Sequence, residues 1–206
     1  PDAIEDDGSC DDNKIDINEY SYCQSNLDVL QDFIDNSSNS VGGYSTDHTL
    51  NLENDQNGDG IIQPLELARQ GFNSEWNNGR LELWDCEACG LSGNISDNIG
   101  ELNFLKTLNL SHNLLSGEIP GNFGNISQLT NINLSNNYLS GYIPDDFINF
   151  LYNMWEMDGG SQQDLDQFAT DLGTEYLENN YFCEPYSDLL LDILSFGGVH
   201  YLESQE

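Results

Sequence analysis

Positively charged residues are scarce in this chain of 206 residues. It has 4 Lys and Arg against 37 Asp and Glu, which gives a formal net charge of -33 at pH 7. Lys and Arg contacts to phosphates hold proteins on nucleic acids and on anionic membranes, so this balance excludes both partners. Cations and cationic or neutral surfaces remain as candidate partners. The many negative charges repel one another unless salt or divalent ions screen them. The charge balance therefore indicates a saline or calcium-containing medium, or an acidic proteome adapted to salt.

Long apolar stretches are also missing. No run of about 18 apolar residues occurs, and the chain opens with PDAIEDD rather than with a signal peptide. We therefore expect a soluble protein without membrane insertion, or the mature part of a secreted one. Methionine is rare, with only Met154 and Met157. Their scarcity disfavours an intracellular calcium sensor, because such proteins expose an apolar groove that is often rich in methionine.

The five cysteines leave several pairings open. Cys10 and Cys23 are candidates for a disulfide bridge. Cys86 and Cys89 form a CxxC, which we interpret as buried structural thiols rather than a redox pair, because no thioredoxin-like βαβ pattern surrounds them. The scattered histidines do not complete a zinc site there. Cys183 is left over.

What the chain does contain is a pattern that returns at a fixed interval between Leu91 and Asp145. The positions in phase include Leu91, Leu115 and Leu139, and Asn113 and Asn137. A period of roughly 20 to 29 residues with this leucine spacing is typical of a leucine-rich repeat solenoid. In the segment LKTLNLSHN, the leucines point into a stack of coils, while the polar residues between them face outward on a short strand.

An asparagine ends each predicted strand. The side-chain amides of Asn113 and Asn137 can bond backbone groups of the turn and of the adjacent coil, so we expect them to form an inner ladder. The segments LSGEIP and LSGYIP follow, and they resemble the plant-type leucine-rich repeats of receptor ectodomains and polygalacturonase inhibitors. That resemblance covers roughly residues 81 to 150 and implies a second small sheet built by LSGxIP.

The repeat extends in both directions with irregularities. Upstream, LELWDCEACGL reads as a first coil with Cys89 in the asparagine place. Downstream, Asn180 keeps the internal spacing of the repeat but follows Asn137 by much more than one period, which predicts an insertion near 149–167. We expect about four coils in total. The ending LENNYFCEPY resembles the closing coil of secreted bacterial leucine-rich-repeat proteins.

Two C-terminal segments follow the repeats. YSDLLLDILSF, after Pro185, reads as a short apolar helix that caps the last coil. GGVHYLESQE, with Val199 and Tyr201, suggests a strand. That strand would pair within the protein or add to a sheet edge of a neighbouring molecule, and a frayed tail is the alternative.

Upstream of the repeats, residues 55–66 read DQNGDGIIQPLE. They match the EF-hand calcium loop at every diagnostic position, with Gly60 at the sharp turn and Ile62 available to pair with a partner loop. Oxygen ligands at this spacing wrap a hard cation, so the sequence predicts bound Ca2+. The ligands are Asp55, Asn57, Asp59, Ile61 through its carbonyl, Gln63 and Glu66.

A second, incomplete loop precedes it in EDDGSCDDNKIDINEYSYC. Its second half fits the EF-hand pattern, but Gly8 and Cys10 occupy ligand positions in the first half. One inserted residue would restore the pattern, and the alternative is a metal-free loop that only braces its partner. The ligands would be Asp7, Ser9, Asp12, Lys14 through its carbonyl, Asp16 and Glu19.

These observations predict an α/β protein: a short leucine-rich repeat solenoid capped by an α-helical EF-hand pair. The EF-hand-like domain would span 1–72, and the solenoid with its insertion and C-terminal cap would span 73–206. NLDVLQDFID has a helical apolar stripe, and LELARQGF reads as a helix ended by Gly71. We expect the pair to seal the open end of the solenoid, with Phe72 and Trp76 at the junction, rather than to be loosely tethered.

The predicted function is that of an extracellular or cell-surface module, stabilised by calcium, that recognises a protein or a glycan. No GxSxG motif occurs and shallow coils build no deep pocket, so we expect no enzyme. The alternative is a structural subunit that self-associates into a surface layer or filament. The residues expected to face the ligand are Thr107, Asn109, Ser111, His112, Asn131, Asn133, Ser135, Asn136 and Tyr138.

Overall fold

The computed structural model describes residues 14–17, 20–39, 50, 58, 61–157 and 177–182. Within them the chain has an α/β fold in which most strands are short and parallel. The helices are α1 (Gln24–Asn39), α2 (Pro64–Leu67) and α3 (Asp145–Met157). The strands are β1 (Lys14–Ile17), β2 (Tyr20–Cys23), β3 (Ser74–Asn77), β4 (Arg80–Asp85), β5 (Ser92–Asn94), β6 (Thr107–Asn109), β7 (Leu114–Gly117), β8 (Asn131–Asn133), β9 (Tyr138–Gly141) and β10 (Tyr181–Phe182).

The repeats build two four-stranded sheets, one from each half of every coil. The first has the order β3-β4-β6-β8 and the second the order β10-β9-β7-β5. All neighbours in both sheets are parallel except β3 and β4, which form a hairpin closed by Asn78 and Gly79. Both turn residues have positive φ, 50° and 84°, as a tight hairpin turn requires. The second sheet, which the resemblance implied, is therefore present.

The leucines of the repeat point into the space between the two sheets, as predicted. Leu105, Leu108 and Leu110 are fully buried. Trp84 and Ile132, which are in register with Leu108 in the two neighbouring coils, are also buried. One continuous core results, because each coil covers the apolar side of the next.

The asparagine ladder is also present. Asn113 Nδ2 donates to the carbonyl oxygens of Cys86, Leu110 and Ser111 at 2.7, 3.0 and 3.1 Å. Asn137 and Asn180 repeat the pattern in the next two coils. These buried amides satisfy backbone groups at the turn that would otherwise lack partners.

The insertion starts as a helix on the back of the third coil. Two shorter 3-10 helices, Ile99–Glu101 and Gly121–Asn125, occupy this place in the preceding coils. Helix α3 begins at Asp145, one repeat period after Gly121, and continues beyond the length of a 3-10 turn. It packs through Phe147, whose ring lies 5.2 Å from that of Phe123. The extra residues thus begin within this helix, and residues 158–167 of the predicted insertion lie outside the described part.

Helix α1 lies directly on the first coil and covers its open end. The predicted apolar stripe is buried, and the Phe33 ring meets Trp84 edge-on at 5.2 Å between centroids. Asn26 accepts the Leu81 N–H at 2.9 Å. Ser37 Oγ accepts the N–H of Ser92 at 3.0 Å, so polar contacts fix the same helix on both sheets. Buried apolar contacts together with these bonds hold the helix against the coil.

Two details of the predicted junction are wrong. Helix α2 is a single turn rather than a helix ending at Gly71, since Asn73 Nδ2 donates to the carbonyl of Leu67 and its Oδ1 accepts the Arg69 N–H. Phe72 is 77% exposed and its ring lies under the Arg69 guanidinium, so it does not pack at the junction. Trp76 does pack there, edge-on against Tyr22 at 5.0 Å.

The prediction of two buried thiols in the first coil is corrected by a disulfide. Cys86 and Cys89 are buried, as expected, but their sulfur atoms are bonded to each other. Their Cα atoms are 5.2 Å apart, a separation that a disulfide spans without moving the backbone. Cys23 is disulfide-bonded as well, whereas Cys10 and Cys183 lie outside the described residues.

Several predicted segments cannot be compared with the structure. The C-terminal helix and strand, the coil residues before Leu177, and residues 55–57 and 59–60 of the predicted calcium loop lie outside the described residues. In the part of the chain that is described, no helix has both the length and the apolarity needed to cross a membrane.

Candidate recognition surface

The outward side chains of β6 and β8 form one flat, uncharged patch. Thr107 is in register with Asn131, and Asn109 with Asn133, so the four side chains form two rows across adjacent strands. Asn131 is exposed and the other three are half-buried. We call these four residues the strand patch. They lie on the outward side of their strands, where the alternation of the repeat predicted them.

One charged pair borders the strand patch on the side of β4. Lys106 Nζ donates to Glu82 Oε2 at 2.7 Å. This bond, together with a second one from Asn77, holds the pKa of Glu82 below its ordinary value, although partial burial acts in the opposite direction. Beyond it, Asn109 Nδ2 approaches Glu87 Oε2 at 3.5 Å. The patch is therefore flanked by carboxylates while itself carrying no charge.

Two of the predicted ligand-facing residues are not on the surface. Ser111 and Ser135 are only 2% and 5% exposed. The chain has already turned inward at these positions, and each backbone N–H donates to the Oδ1 of the asparagine two residues earlier, at 3.1 and 3.0 Å. The outward phase of the strand ends at Asn109 and Asn133, because the strands are only three residues long.

The remaining predicted residues form a second exposed area beside the strand patch, at the turn between the two sheets. His112, Asn136 and Tyr138 line a groove of about 360 Å³. Leu114, Asn179 and Tyr181, which were not among the predicted residues, lie in the same groove, and the buried ladder residues Asn113 and Asn137 form its base. We call these six residues the tyrosine ledge: His112, Leu114, Asn136, Tyr138, Asn179 and Tyr181.

The tyrosine ledge has a regular geometry because it repeats once per coil. The rings of Tyr138 and Tyr181 are stacked with 5.7 Å between centroids and 6° between planes. His112, Asn136 and Asn179 all have positive φ, 57°, 56° and 54°, a conformation that Asn and His adopt more readily than most residues. Asn179 Nδ2 donates to Asn136 Oδ1 at 2.8 Å, which links two coils.

A sequence signal for the missed residues was available. Tyr181 follows Asn180 in the chain as Tyr138 follows Asn137, so the two tyrosines occupy equivalent positions of the repeat. Leu114 occupies the same position one period before Tyr138. Applying the repeat to the position after each ladder asparagine would therefore have identified this row.

Only part of the predicted calcium loop belongs to the described residues. Glu66 lies in the first turn of α2, where its Oε2 accepts the Gln63 N–H at 3.0 Å. Ile62 is buried, while Ile61 and Gln63 are exposed. The expected ligands Asp55, Asn57 and Asp59 lie outside the described residues. The oxygen-bearing residues that are described fit a hard cation by their chemistry, because carboxylate, amide and carbonyl oxygens are its preferred ligands.

The second half of the other predicted loop folds differently from an EF-hand. Lys14 and Asp16 lie on β1, which pairs with β2 as an antiparallel hairpin. Ile15 is in register with Tyr22. Asp16 accepts a hydrogen bond from Ser21. The predicted ligands Asp7, Ser9, Asp12 and Glu19 lie outside the described residues, and no group of three or more His, Cys, Asp or Glu able to hold a metal occurs among the described ones.

A larger groove of about 730 Å³ lies between this hairpin and the first coil. Lys14 and Arg80 line it together with the aromatic side chains of Tyr20, Tyr22 and Trp76. Burial raises the pKa of the Tyr22 hydroxyl, and the neighbouring Tyr20 adds to the shift. The Arg80 guanidinium also stacks on Phe104 at 4.1 Å, so this cation contributes to packing.

The two regular coils match a known family of repeats. The family model described as Leucine Rich Repeat matches residues 104–126 and 128–150. These segments contain β6 with β7 and β8 with β9, so the period seen in the sequence corresponds to leucine-rich repeats. No curated protein matches the chain.

Several solved structures from Arabidopsis thaliana have some likeness to this chain. The leucine-rich repeat ectodomain of the receptor kinase SOBIR1 is 22% identical over 80% of this chain and 98% of that chain, with a TM-score of 0.35. The BIR3–SERK2 complex gives 20% identity over 77% and 96%, with a TM-score of 0.36. The BIR2 ectodomain gives 19% over 55% and 77%, with a TM-score of 0.31. At such low identity and TM-score, these likenesses indicate no ligand and no partner.

Proposed function

We propose that this protein is an extracellular recognition module whose leucine-rich repeats present an uncharged surface to a protein or a glycan. The strand patch carries this proposal. Its amide and hydroxyl groups lie in two rows on a rigid parallel sheet, and such groups suit hydrogen bonding to a polar partner. A nucleic-acid partner is excluded by the net charge of -33.

Calcium is the second part of the proposal. We propose that Asp55, Asn57, Asp59, Ile61, Gln63 and Glu66 bind Ca2+. The buried Ile62 and Leu67 belong to the same core as α1, and α1 covers the first coil. An ion that fixes the loop would therefore also fix α2 against α1, and so stabilise the end of the repeat stack. The hairpin formed by β1 and β2 gives no comparable support to the other predicted loop.

Thermal unfolding tests the role of calcium. The wild type should melt at a clearly higher temperature in calcium than in EDTA, because a ligand that binds only the folded state stabilises it. The double variant Asp55→Asn, Asp59→Asn should melt at the same temperature in both. Asp97→Asn, an exposed acid outside the loop, is the matched control and should behave like the wild type. An identical wild-type melt with and without calcium would reject the structural role of the ion.

Recognition is tested with an array of printed glycans and extracellular proteins. We expect the wild type to bind at least one feature and Asn131→Arg to lose that binding, since a charged, bulky side chain would cover the centre of the strand patch. Ser127→Arg introduces the same side chain at an exposed position outside the strand patch and should bind normally. Equal binding by both variants would show that the strand patch is not the contact surface.

A structural subunit is the second candidate function. The strand β10 ends the second sheet within the described residues, and the end of a parallel sheet is a place where another copy can add. Light scattering over a range of concentrations, with and without calcium, separates the two functions. A protein that stays monomeric throughout is a recognition module and not a self-assembling subunit.

A further inference from the structure

We propose that the tyrosine ledge is a binding site for a neutral saccharide, which stacks on Tyr138 and Tyr181. This inference rests on the proposed recognition function and names the ligand class for one part of the surface. The two rings are 50% and 54% exposed, and Leu114 continues the row. Exposed apolar side chains in one row mark a contact surface more often than scattered ones do.

The chemistry of the ledge fits a sugar. A pyranose ring has an apolar face of C–H groups and a rim of hydroxyls. The C–H groups of this face can pack against the exposed parts of the two parallel tyrosine rings, while the tyrosine hydroxyls reach the rim. Polar groups that can bond sugar hydroxyls lie beside both rings, namely His112, Asn136 and Asn179.

The polar groups of the ledge are already fixed in place. Asn179 Nδ2 donates to Asn136 Oδ1 at 2.8 Å, and Asn136 Nδ2 donates to Ser135 Oγ at 3.1 Å. Both asparagines sit at turn positions defined by the repeat. Little side-chain conformational freedom is therefore lost on binding, which favours affinity for a small ligand.

Charge narrows the ligand class. None of the residues that line the ledge is Asp, Glu, Lys or Arg, in a protein with a net charge of -33. An anionic polysaccharide would be repelled by the surrounding carboxylates, and a polycation would bind the carboxylates themselves. A neutral ligand is the one that gains most from an uncharged area.

Size favours a saccharide over a protein. The groove of about 360 Å³ is within the range of small-ligand sites, roughly 300 to 1,000 Å³. A stable protein interface uses roughly 20 to 30 residues on each side, far more than the ledge offers. The coils repeat at about 4.8 Å, so an extended oligosaccharide lying across Leu114, Tyr138 and Tyr181 would meet equivalent groups in successive coils.

The test is a titration of the full chain with neutral hexasaccharides, namely cellohexaose, laminarihexaose, maltohexaose and chitohexaose, by calorimetry and NMR. At least one should bind the wild type. Tyr138→Ala and Tyr181→Ala should each weaken that binding by about tenfold, the effect of losing one aromatic contact. Tyr138→Phe keeps the ring and should retain most of the affinity. Tyr142→Ala removes an equally exposed tyrosine outside the ledge and should change the affinity less than twofold.

The outcomes separate this inference from the proposed function. Circular dichroism confirms that each variant is folded before titration. If no hexasaccharide binds, or if Tyr138→Ala and Tyr181→Ala bind like the wild type, the ledge is not a saccharide site. The strand patch would still stand if Asn131→Arg abolishes binding on the array. If Asn131→Arg has no effect on the array but the tyrosine variants lose the sugar, the tyrosine ledge is supported as a saccharide site and the strand patch is rejected as a contact surface.

Discussion

The backbone N–H of Leu91 donates to Oδ1 of Asn113, 3.0 Å away, although 22 positions separate the two residues in the chain. The next coil repeats this bond between Leu115 and Asn137 at 3.1 Å. Each ladder asparagine thus bonds the coil before it as well as its own turn. A single amide joins two coils, which makes the stack cooperative rather than a set of independent units.

The ladder asparagine should therefore be essential for stability. Asn113→Ala leaves the buried Leu91 N–H without its partner, and the carbonyl of Cys86 keeps only the longer bond from the Cys89 N–H at 3.4 Å. We expect a loss of about 3 kcal/mol in the free energy of unfolding, measured by urea denaturation. Asn131→Ala, an exposed asparagine of a neighbouring strand, is the control and should cost less than about 0.5 kcal/mol. Equal costs for the two variants would contradict the ladder.

The contact between α1 and the first coil depends on a glycine. Gly93 has φ +74°, and a Cβ there would lie 2.8 Å from the backbone oxygen of Asn36 in α1. Gly93→Ala should lower the free energy of unfolding by about 2 kcal/mol. Gly121→Ala has open space and an ordinary φ, so its stability should match or slightly exceed that of the wild type. The prediction fails if both variants unfold at the same urea concentration.

The packing of Phe33 on Trp84 should show how much α1 stabilises the first coil. Phe33→Ala removes a fully buried ring that packs on Trp84, and we expect a loss of about 3 to 5 kcal/mol. Gln31→Ala changes an exposed residue of the same helix and should have little effect. Tryptophan fluorescence should follow the transition, because Trp84 is fully buried in the folded chain. A Phe33→Ala variant as stable as the wild type would show that α1 is only loosely attached.

The pair formed by Glu82 and Lys106 predicts a small dependence on pH. The pKa of Glu82 is lower in the folded chain than in the unfolded one, mainly because of the hydrogen bond from Lys106. Its ionised form therefore stabilises the fold above the unfolded pKa, and this contribution is lost as the pH falls through the folded pKa. Since the Lys106 side chain is 50% exposed, we expect only about 0.5 kcal/mol at pH 7.

Urea denaturation of Glu82→Gln at several pH values measures this effect. The variant should be less stable than the wild type near pH 7, and this difference should disappear once the pH has fallen below the folded pKa of Glu82. Asp97→Asn, another exposed acid, serves as the control for the change in net charge. A stability difference that persists at low pH would show that the effect is not electrostatic.

The repeats were predictable in detail because their information is local and periodic. The positions of Leu105, Leu108 and Leu110 and the ladder of Asn113 follow from a pattern that returns once per coil, whereas the second sheet was implied by the resemblance to plant-type repeats. Each coil has the same neighbours, so a residue's environment is set by its place in the period. Even the missed Tyr181 obeys that rule.

The segments without a period were harder to predict. The ligand spacing of DDNKIDINEY suggested half of an EF-hand, but Lys14–Ile17 pairs with Tyr20–Cys23 instead. A metal-loop motif is defined by the spacing of its oxygen ligands and by its turn glycine, whereas a hairpin also depends on what packs against it. Here the adjoining turn at Gly79 approaches so closely that a Cβ would lie 2.5 Å from the backbone oxygen of Ser21. No local pattern contains that contact.

The sequence by itself determined that the chain stacks leucine-rich coils and which side chains each coil buries, because a strict period gives every residue the same surroundings in each repeat. The tertiary structure alone decided that Phe33 of α1 packs on Trp84, that Cys86 and Cys89 are joined, and that β1 pairs with β2. These contacts join residues from different parts of the chain or depend on the exact path of one turn. Their energies become favourable only after the coils have formed, so no short segment encodes them.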